Sequence, residues 1–331
     1  MIAMRVPHWR DGGRMLACAA LLCAAAGVGA CERAADSADR RFMSLGTAGT
    51  GGLYYPLGGA LASRLSARDT ARQYTAEVTG GSVENITRIA SGEMDLGLAI
   101  GTSVHEAYTG GRDFPQAIAD LRVIAPLYPN LTHVLVPTGS AVHSIRGLRG
   151  ARVSVGAAGS GTEQVAQHVL AAYGLSYDDV DEQYLSFTES AAALADGAID
   201  AAILSVGYPA SAVLEVTTTG RARLLPIDST AIDRLVDAYS YYSPAVIPAG
   251  AYPGMAAPVA TVSVMNWVIA REDLPAEVVV LLLDILRDDA EALRAVVDIA
   301  GQINIANMYA SPIPLHEAAR AWLEEAVPRG G

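Results

Sequence analysis

Residues 42–61 read FMSLGTAGTGGLYYPLGGAL. Phe42 to Leu45 has strand character, Gly46-Thr47-Ala48-Gly49-Thr50-Gly51-Gly52 is a glycine-rich turn, and apolar residues then recur at helical spacing, which predicts strand, loop, helix. Glycine lets the backbone come close to a ligand. A helix that starts from such a loop aims its unpaired N–H groups and the positive end of its dipole at whatever occupies the turn. That is a place to hold an anion.

The same device recurs as Arg152-Val153-Ser154-Val155, the loop from Gly156 to Thr162 (GAAGSGT), and a helical run from Glu163 to Tyr173. The two loops align as G-x-A-G, then Thr or Ser, then Gly. A second pair follows: ASGEMDL at 90–96 matches ADGAIDA at 195–201, and each leads into an apolar run, Leu96 to Ile100 and Ala201 to Val206. Two matched units predict two similar α/β lobes, each presenting a helix start to a shared cleft.

A length of 331 residues favours about two domains. The formal net charge is −12 and no basic run is present, which argues against nucleic acid as a partner. All 23 basic residues are arginine. With no lysine, Schiff-base catalysis and a P-loop phosphate cradle are excluded. Residues 1–30 read as a signal peptide: Arg5, Arg10 and Arg14 precede an apolar stretch from Met15 to Val28, and Val28-Gly29-Ala30 leads into Cys31. The arrangement resembles a bacterial lipoprotein signal with Cys31 as the lipidated residue; ordinary cleavage at the same bond is the alternative. Residues 31–41 form a polar tether. Cys18, Cys23 and Cys31 all lie in or at the end of the leader, so no disulfide framework, thiol nucleophile or cysteine metal site is expected in the mature fold.

Further along, Gln73 to Val78 predicts a strand, and Thr79-Gly80-Gly81-Ser82 opens a helix through Ala90. Ser82 suits an N-cap, and the preceding glycines equally suit close approach to a ligand. Two β-type runs, Leu121 to Leu127 and His133 to Pro137, are separated by Tyr128-Pro129-Asn130 at the first crossing between lobes; Val259 to Ala270 is the return crossing, and Pro275 opens a helical C-terminal third. The lobes are expected to comprise 42–134 plus 258–331, and 135–257. Two crossings between two lobes describe a hinged clamshell.

Enzyme signatures come close and miss. The loop at Gly49 lacks the last glycine of a dinucleotide fingerprint, Thr162 stands where a P-loop needs lysine, and Arg320 stands where His316-Glu317 would need a second zinc-binding histidine. No metal site or catalytic constellation is expected, and no cofactor. Ser160 with Glu163, and Ser186 with Glu189, fit the capping box. Of the adjacent Tyr54 and Tyr55, helical geometry lets one pack while the other faces the loop.

Seven ordered segments resemble the TAXI family, the extracytoplasmic solute receptors of one branch of TRAP transporters: GTAGTGGLYYPLGGALA (46–62), GGSVENI (80–86), EAYTG (106–110), VGAAGSGTE (155–163), DGAIDA (196–201), YPA (208–210) and IPAGAYPG (247–254). The resemblance implies an α/β, two-lobe clamshell of the type II periplasmic-binding-protein fold with a hinge of crossing strands. It also implies a receptor that delivers a small carboxylate or amino acid, glutamate-like or a 2-oxoacid, to a TRAP-type membrane permease. Positions matching the family cleft are Gly49, Thr50, Gly51, Tyr54, Ser82, Asn85, Thr102, Ser160, Gly161, Thr162 and Tyr208. After the first-lobe strand the family carries polar residues such as Gln-Ser-Asp where this chain has Ile100-Gly101-Thr102. Loss of an acidic residue there makes the lobe less suited to an ammonium. The rival readings are a lipoprotein that presents solute to a sensor kinase, and an exported hydrolase on the same fold.

Overall fold

The computed structural model describes residues 42–326. The expected leader, the lipidation at Cys31 and the tether lie outside the described residues. The chain opens with β1 (Phe42–Gly46), α1 (Tyr54–Arg68), β2 (Gln73–Glu77), α2 (Ser82–Ser91), β3 (Leu96–Ile100) and α3 (Gly101–Thr109). β1 lies between β2 and β3, parallel to both. Ile86 and Ile89 bury one face of α2, and the helix stops at Gly92, whose φ of 78° is the left-handed cap that glycine adopts without strain.

β4 (Leu121–Pro137) leads into the second half: β5 (Arg152–Ser154), α4 (Gly161–Ala172), β6 (Asp181–Gln183), α5 (Phe187–Ala195), β7 (Ala201–Val206), α6 (Ser211–Thr218), β8 (Ala222–Leu225), α7 (Ser229–Ala238) and β9 (Tyr242–Ile247). β5 pairs in parallel with β6 and β7, repeating the first unit. The duplicated aspartates explain part of the sequence repeat. Asp95 accepts the Ser44 N–H at 2.7 Å, and Asp200 accepts the Arg152 N–H at 2.9 Å, so each ties the turn before its strand to the first strand of its own unit.

The sheet runs β2-β1-β3-β10-β4-β7-β5-β6, where β10 is Val259–Arg271; β8 pairs with β4 and β9 with β10. β4 is a single strand of 17 residues, where the sequence suggests two runs broken at Tyr128-Pro129-Asn130. Pro129 has no N–H to donate, and it lies opposite Met265 beside a register shift between Met265 and Trp267, an irregularity that accommodates proline within a ladder. β4 pairs with β10 along its first part and with β7 and β8 along its last. β10 pairs with β9 along its first half and with β3 along its second. Both strands therefore cross from one half of the molecule to the other.

The described residues after β10 return to the first half. α8 (Ala276–Asp288), α9 (Ala290–Arg294) and α10 (Glu317–Ala326) follow β10. Val278, Val279, Leu282 and Ile285 bury α8, and Trp322 on α10 donates from Nε1 to Asp284 on α8 at 2.9 Å. His316 Nδ1 accepts the Ala318 N–H at 3.2 Å and so sets the start of α10. Among the described residues, no helix is long and apolar enough to cross a membrane.

Candidate functional site

Five helix starts line a cavity of about 90 Å³ between the two halves. They are Leu53 and Tyr54 of α1, Gly81 and Ser82 of α2, Ile100 ahead of α3, Ser160, Gly161 and Thr162 of α4, and Ser186 and Phe187 of α5. First-turn N–H groups have no acceptor within their own helix. Tyr128 and Asn130 of β4 and Ser205 of β7 complete the lining from the sheet, and no Asp, Glu, His or Arg side chain contributes to it. Burial pushes the Tyr54 and Tyr128 phenols up, so both remain neutral O–H donors.

A chain of hydrogen bonds fixes this sheet wall. Tyr54 donates to Asn266 Oδ1 at 2.5 Å; Asn266 Nδ2 donates to the Tyr128 carbonyl at 2.6 Å and to Asn130 Oδ1 at 2.8 Å; Asn130 Nδ2 donates to the Ser205 carbonyl at 2.9 Å. The Tyr128 hydroxyl and Ser205 Oγ have no partner, although the two residues are only 0% and 3% exposed. An unsatisfied buried hydroxyl costs about 1–3 kcal/mol. Such groups call for an occupant.

The two halves meet through backbone that only glycine permits. The N–H groups of Val83 and Glu84 on α2 both donate to the Gly159 carbonyl at 3.1 Å. A Cβ on Gly80 would stand 2.7 Å from the Ala158 oxygen, and one on Gly161 2.5 Å from Ile100 Cδ1. The Gly51 carbonyl accepts from Ser211 Oγ at 3.0 Å and from the Ala212 N–H at 3.3 Å.

Gln164 on α4 is a second bridge. Its Nε2 donates to Glu106 at 2.6 Å and to Asp113 at 2.8 Å, while its Oε1 accepts from Ser103 at 2.6 Å and from Thr102 at 3.3 Å. All four partners belong to the first half. Beside this bridge, His168 stacks on Tyr239 with centroids 4.1 Å apart, and burial pushes its pKa down to about 4.

Of the residues expected in the cleft, Gly49, Tyr54, Ser82, Ser160, Gly161 and Thr162 come together around the cavity, and Thr50, Gly51, Asn85, Thr102 and Tyr208 do not line it. Thr50 is exposed, Gly51 faces α5 and α6, and Thr102 faces Gln164. Asn85 is fully buried behind the loop: its Nδ2 donates to the carbonyls of Thr47 and Leu98 at 2.8 Å each, and its Oδ1 accepts from Thr79 at 2.7 Å. Tyr208 packs on the apolar cluster of the second half. Tyr54 is buried and Tyr55 is 40% exposed.

Two capping expectations are corrected. Gly81, not Ser82, is the N-cap of α2: Ser82 is already the first helical residue, and its Oγ accepts the Ile100 N–H of β3 at 3.1 Å. Ser186 and Glu189 form the full capping box, whereas at α4 only Ser160 caps; the Glu163 carboxylate turns to Arg112 and Gln167. Sequence reasoning missed Tyr128, Ser205, Asn266 and Gln164. Its available signal was a polar residue within an otherwise apolar strand or on a helix face that is buried.

Among the described residues, no group of three or more His, Cys, Asp or Glu side chains could hold a metal ion. Known structures share this architecture. PhnD1 from Prochlorococcus marinus (MIT 9301), solved in complex with methylphosphonate, matches with 13% identity over 86% of this chain and 98% of its own, at a TM-score of 0.54. The periplasmic sulfonate-binding protein SsuA of a putative sulfonate ABC transporter from Methylobacillus flagellatus KT matches with 14% identity over 88% and 96%, at a TM-score of 0.50. At such identities the likeness establishes the fold, the two-lobe clamshell of type II periplasmic binding proteins. Residues 45–326 match the family model as one continuous segment, and the chain belongs to the NMT1-like family.

Proposed function

We propose that this chain is an extracytoplasmic solute-binding receptor of the TAXI type, serving a TRAP-type membrane permease. It captures a small organic anion or amino acid, glutamate-like or a 2-oxoacid, between the lobes 42–134 plus 258–331 and 135–257, which swing about β4 and β10. The observation that carries the reading is the cavity at their junction, with helix starts from both halves and two buried hydroxyls, of Tyr128 and Ser205, left without partners. Gly49, Tyr54, Ser82, Ser160, Gly161 and Thr162 hold the solute through N–H and O–H donors. The leader at 1–30, with Cys31 as lipid anchor, delivers the receptor to the envelope.

Magnitudes support donors over dipoles. A micromolar receptor needs about 8 kcal/mol. One helix dipole supplies about 0.3–1 kcal/mol, and a hydrogen bond to a charged oxygen about 1.5–3 kcal/mol. Several direct donors are therefore required, and only a closed cleft assembles them. A thermal-shift screen of carboxylates, amino acids and 2-oxoacids tests the reading: a binder stabilises the protein by about 2.7 kcal/mol at one hundred times its dissociation constant. A flat response across the screen overturns it. Receptor-dependent uptake that collapses with an ionophore and survives ATP depletion separates a TRAP-type permease from an ATP-driven one.

A further inference from the structure

Five helices present their starts to the cavity, and three of their positive ends are already answered from within the chain. On α2 the Glu84 carboxylate accepts the Gly80 N–H at 2.7 Å, and the Val83 and Glu84 N–H groups go to the Gly159 carbonyl. On α4, Ser160 Oγ accepts the Glu163 N–H at 3.3 Å, with Glu163 in the first turn. On α5, Ser186 and Glu189 close a capping box. α1 and α3 differ: neither carries an acidic residue in its first turn, and no side chain caps either. At α3 only Ile100, ahead of the helix, reaches the cavity, and Thr102 faces Gln164, whereas Leu53 and Tyr54, which open the 15-residue α1, both line it.

A separate observation lies on the sheet wall of the same cavity. The hydroxyls of Tyr128 and Ser205 are buried, unpartnered and uncharged, and no charged side chain accompanies them. The start of α1 is thus the uncompensated positive pole whose opening residues line the cavity, and the two unpartnered hydroxyls, on residues of its sheet wall, are neutral. A second carboxylate would find no cation. An ammonium would find no carboxylate. Resting on the receptor reading above and narrowing its solute class, we infer that the solute is a short monocarboxylate whose carboxylate sits at the start of α1 and whose remainder is uncharged, with a hydroxyl or similar oxygen meeting Tyr128 and Ser205; of the solutes that reading admits, amino acids and dicarboxylates are rejected.

Calorimetry on the purified protein tests this with five probes: glycolate, 3-hydroxybutyrate, butyrate, L-alanine and succinate. The hydroxylated monocarboxylates are expected to bind about tenfold or more tighter than L-alanine and succinate, and 3-hydroxybutyrate tighter than butyrate. Ser205→Ala and Tyr128→Phe remove the gap between 3-hydroxybutyrate and butyrate. Tyr55→Glu gives α1 the first-turn acid that α2, α4 and α5 carry; it lowers affinity for the hydroxy acids severalfold and does not lower the thermal midpoint of the free protein, since an acid at that position favours the helix. L-alanine or succinate binding as tightly as the hydroxy acids overturns the inference and leaves the receptor reading intact. Failure of all five probes while another solute of the broad screen binds does the same. If that screen is empty as well, the receptor reading falls with it.

Discussion

Replacing Gly161 with alanine separates closure of the cleft from stability of the fold. Gly161 opens α4 with a backbone conformation that any residue adopts, and alanine is the better helix former by about 0.8–1 kcal/mol in a helix interior. In the closed protein the added Cβ would stand 2.5 Å from Ile100 Cδ1, 2.6 Å from Ile100 Cγ1 and 2.9 Å from Ser82 Oγ. Neither neighbour can retreat freely, because both are buried to 2% exposure and Ser82 Oγ is held by the Ile100 N–H. Overpacking of this kind costs about 1–3 kcal/mol. The open form escapes the cost, so the whole of it falls on closing and weakens solute binding about 5- to 150-fold. Titration calorimetry reads the affinity, and thermal unfolding without solute reads the fold, which is expected to be unchanged or slightly stabilised. Gly59→Ala on α1 is the control, since nothing lies within 4 Å of the new atom. Affinity within about twofold of the parent for Gly161→Ala would mean that the two loops do not meet in the bound form.

Gln164→Ala removes four hydrogen bonds between the halves, two of them to carboxylates. Even after competition with water this is expected to weaken solute binding about tenfold or more and to enlarge the free protein in solution scattering; no change in either would discard the latch. Asn85→Ala strands the Thr47 and Leu98 carbonyls, so the melting temperature drops by several degrees while the shift produced by saturating solute is retained; loss of binding with an unchanged melting point would put Asn85 in the site after all. Burial pushes His133 and His168 down to about 4, whereas the unfolded chain protonates them near 6.5. Their stability contribution is therefore complete above about pH 6.5 and lost as pH falls toward 4, about 2 kcal/mol for each by pH 5. Denaturant titrations at pH 7 and 5 check this, with His168→Gln expected to halve the loss; a flat profile for the parent would contradict the burial of both rings.

The parts of the fold legible in the sequence are those encoded locally. Strand, glycine loop and helix at Phe42 and again at Arg152 announce themselves because glycine and helical periodicity act over neighbouring residues. The continuity of β4 through Pro129 was not legible, since the irregularity that tolerates the proline belongs to its partner strand near Met265. The site divides in the same way. Ser160, Gly161 and Thr162 follow from the loop itself, but Asn85 and Ser82 carry the same polar signature and differ only in which way the fold turns them. Tyr128 and Ser205 were hidden because a hydroxyl within a buried strand reads as core until its missing partner is seen. Gln164 was hidden because its four partners are supplied by α3 and the loop after it, across the cleft.

Those hidden residues together suggest why the cleft responds to solute instead of staying shut. Each bond made on closing, at the Gly159 carbonyl, the Gly51 carbonyl and Gln164, replaces bonds to water and nets only about 0.5–1.5 kcal/mol, somewhat more at the carboxylates. Closing on an empty cavity strips water from the hydroxyls of Tyr128 and Ser205 at about 1–3 kcal/mol each. The hydroxyls' cost, about 2–6 kcal/mol, offsets a large part of the gain from the eight bonds, about 4–12 kcal/mol, and a solute that satisfies both hydroxyls lifts that opposition and drives the equilibrium toward the closed form. The double variant Tyr128→Phe with Ser205→Ala lifts the opposing term: the free protein becomes more compact in scattering, and its compaction on adding solute shrinks. If the variant instead opens further, the hydroxyls do not oppose closing, and the balance has to be sought in the bonds between the lobes alone.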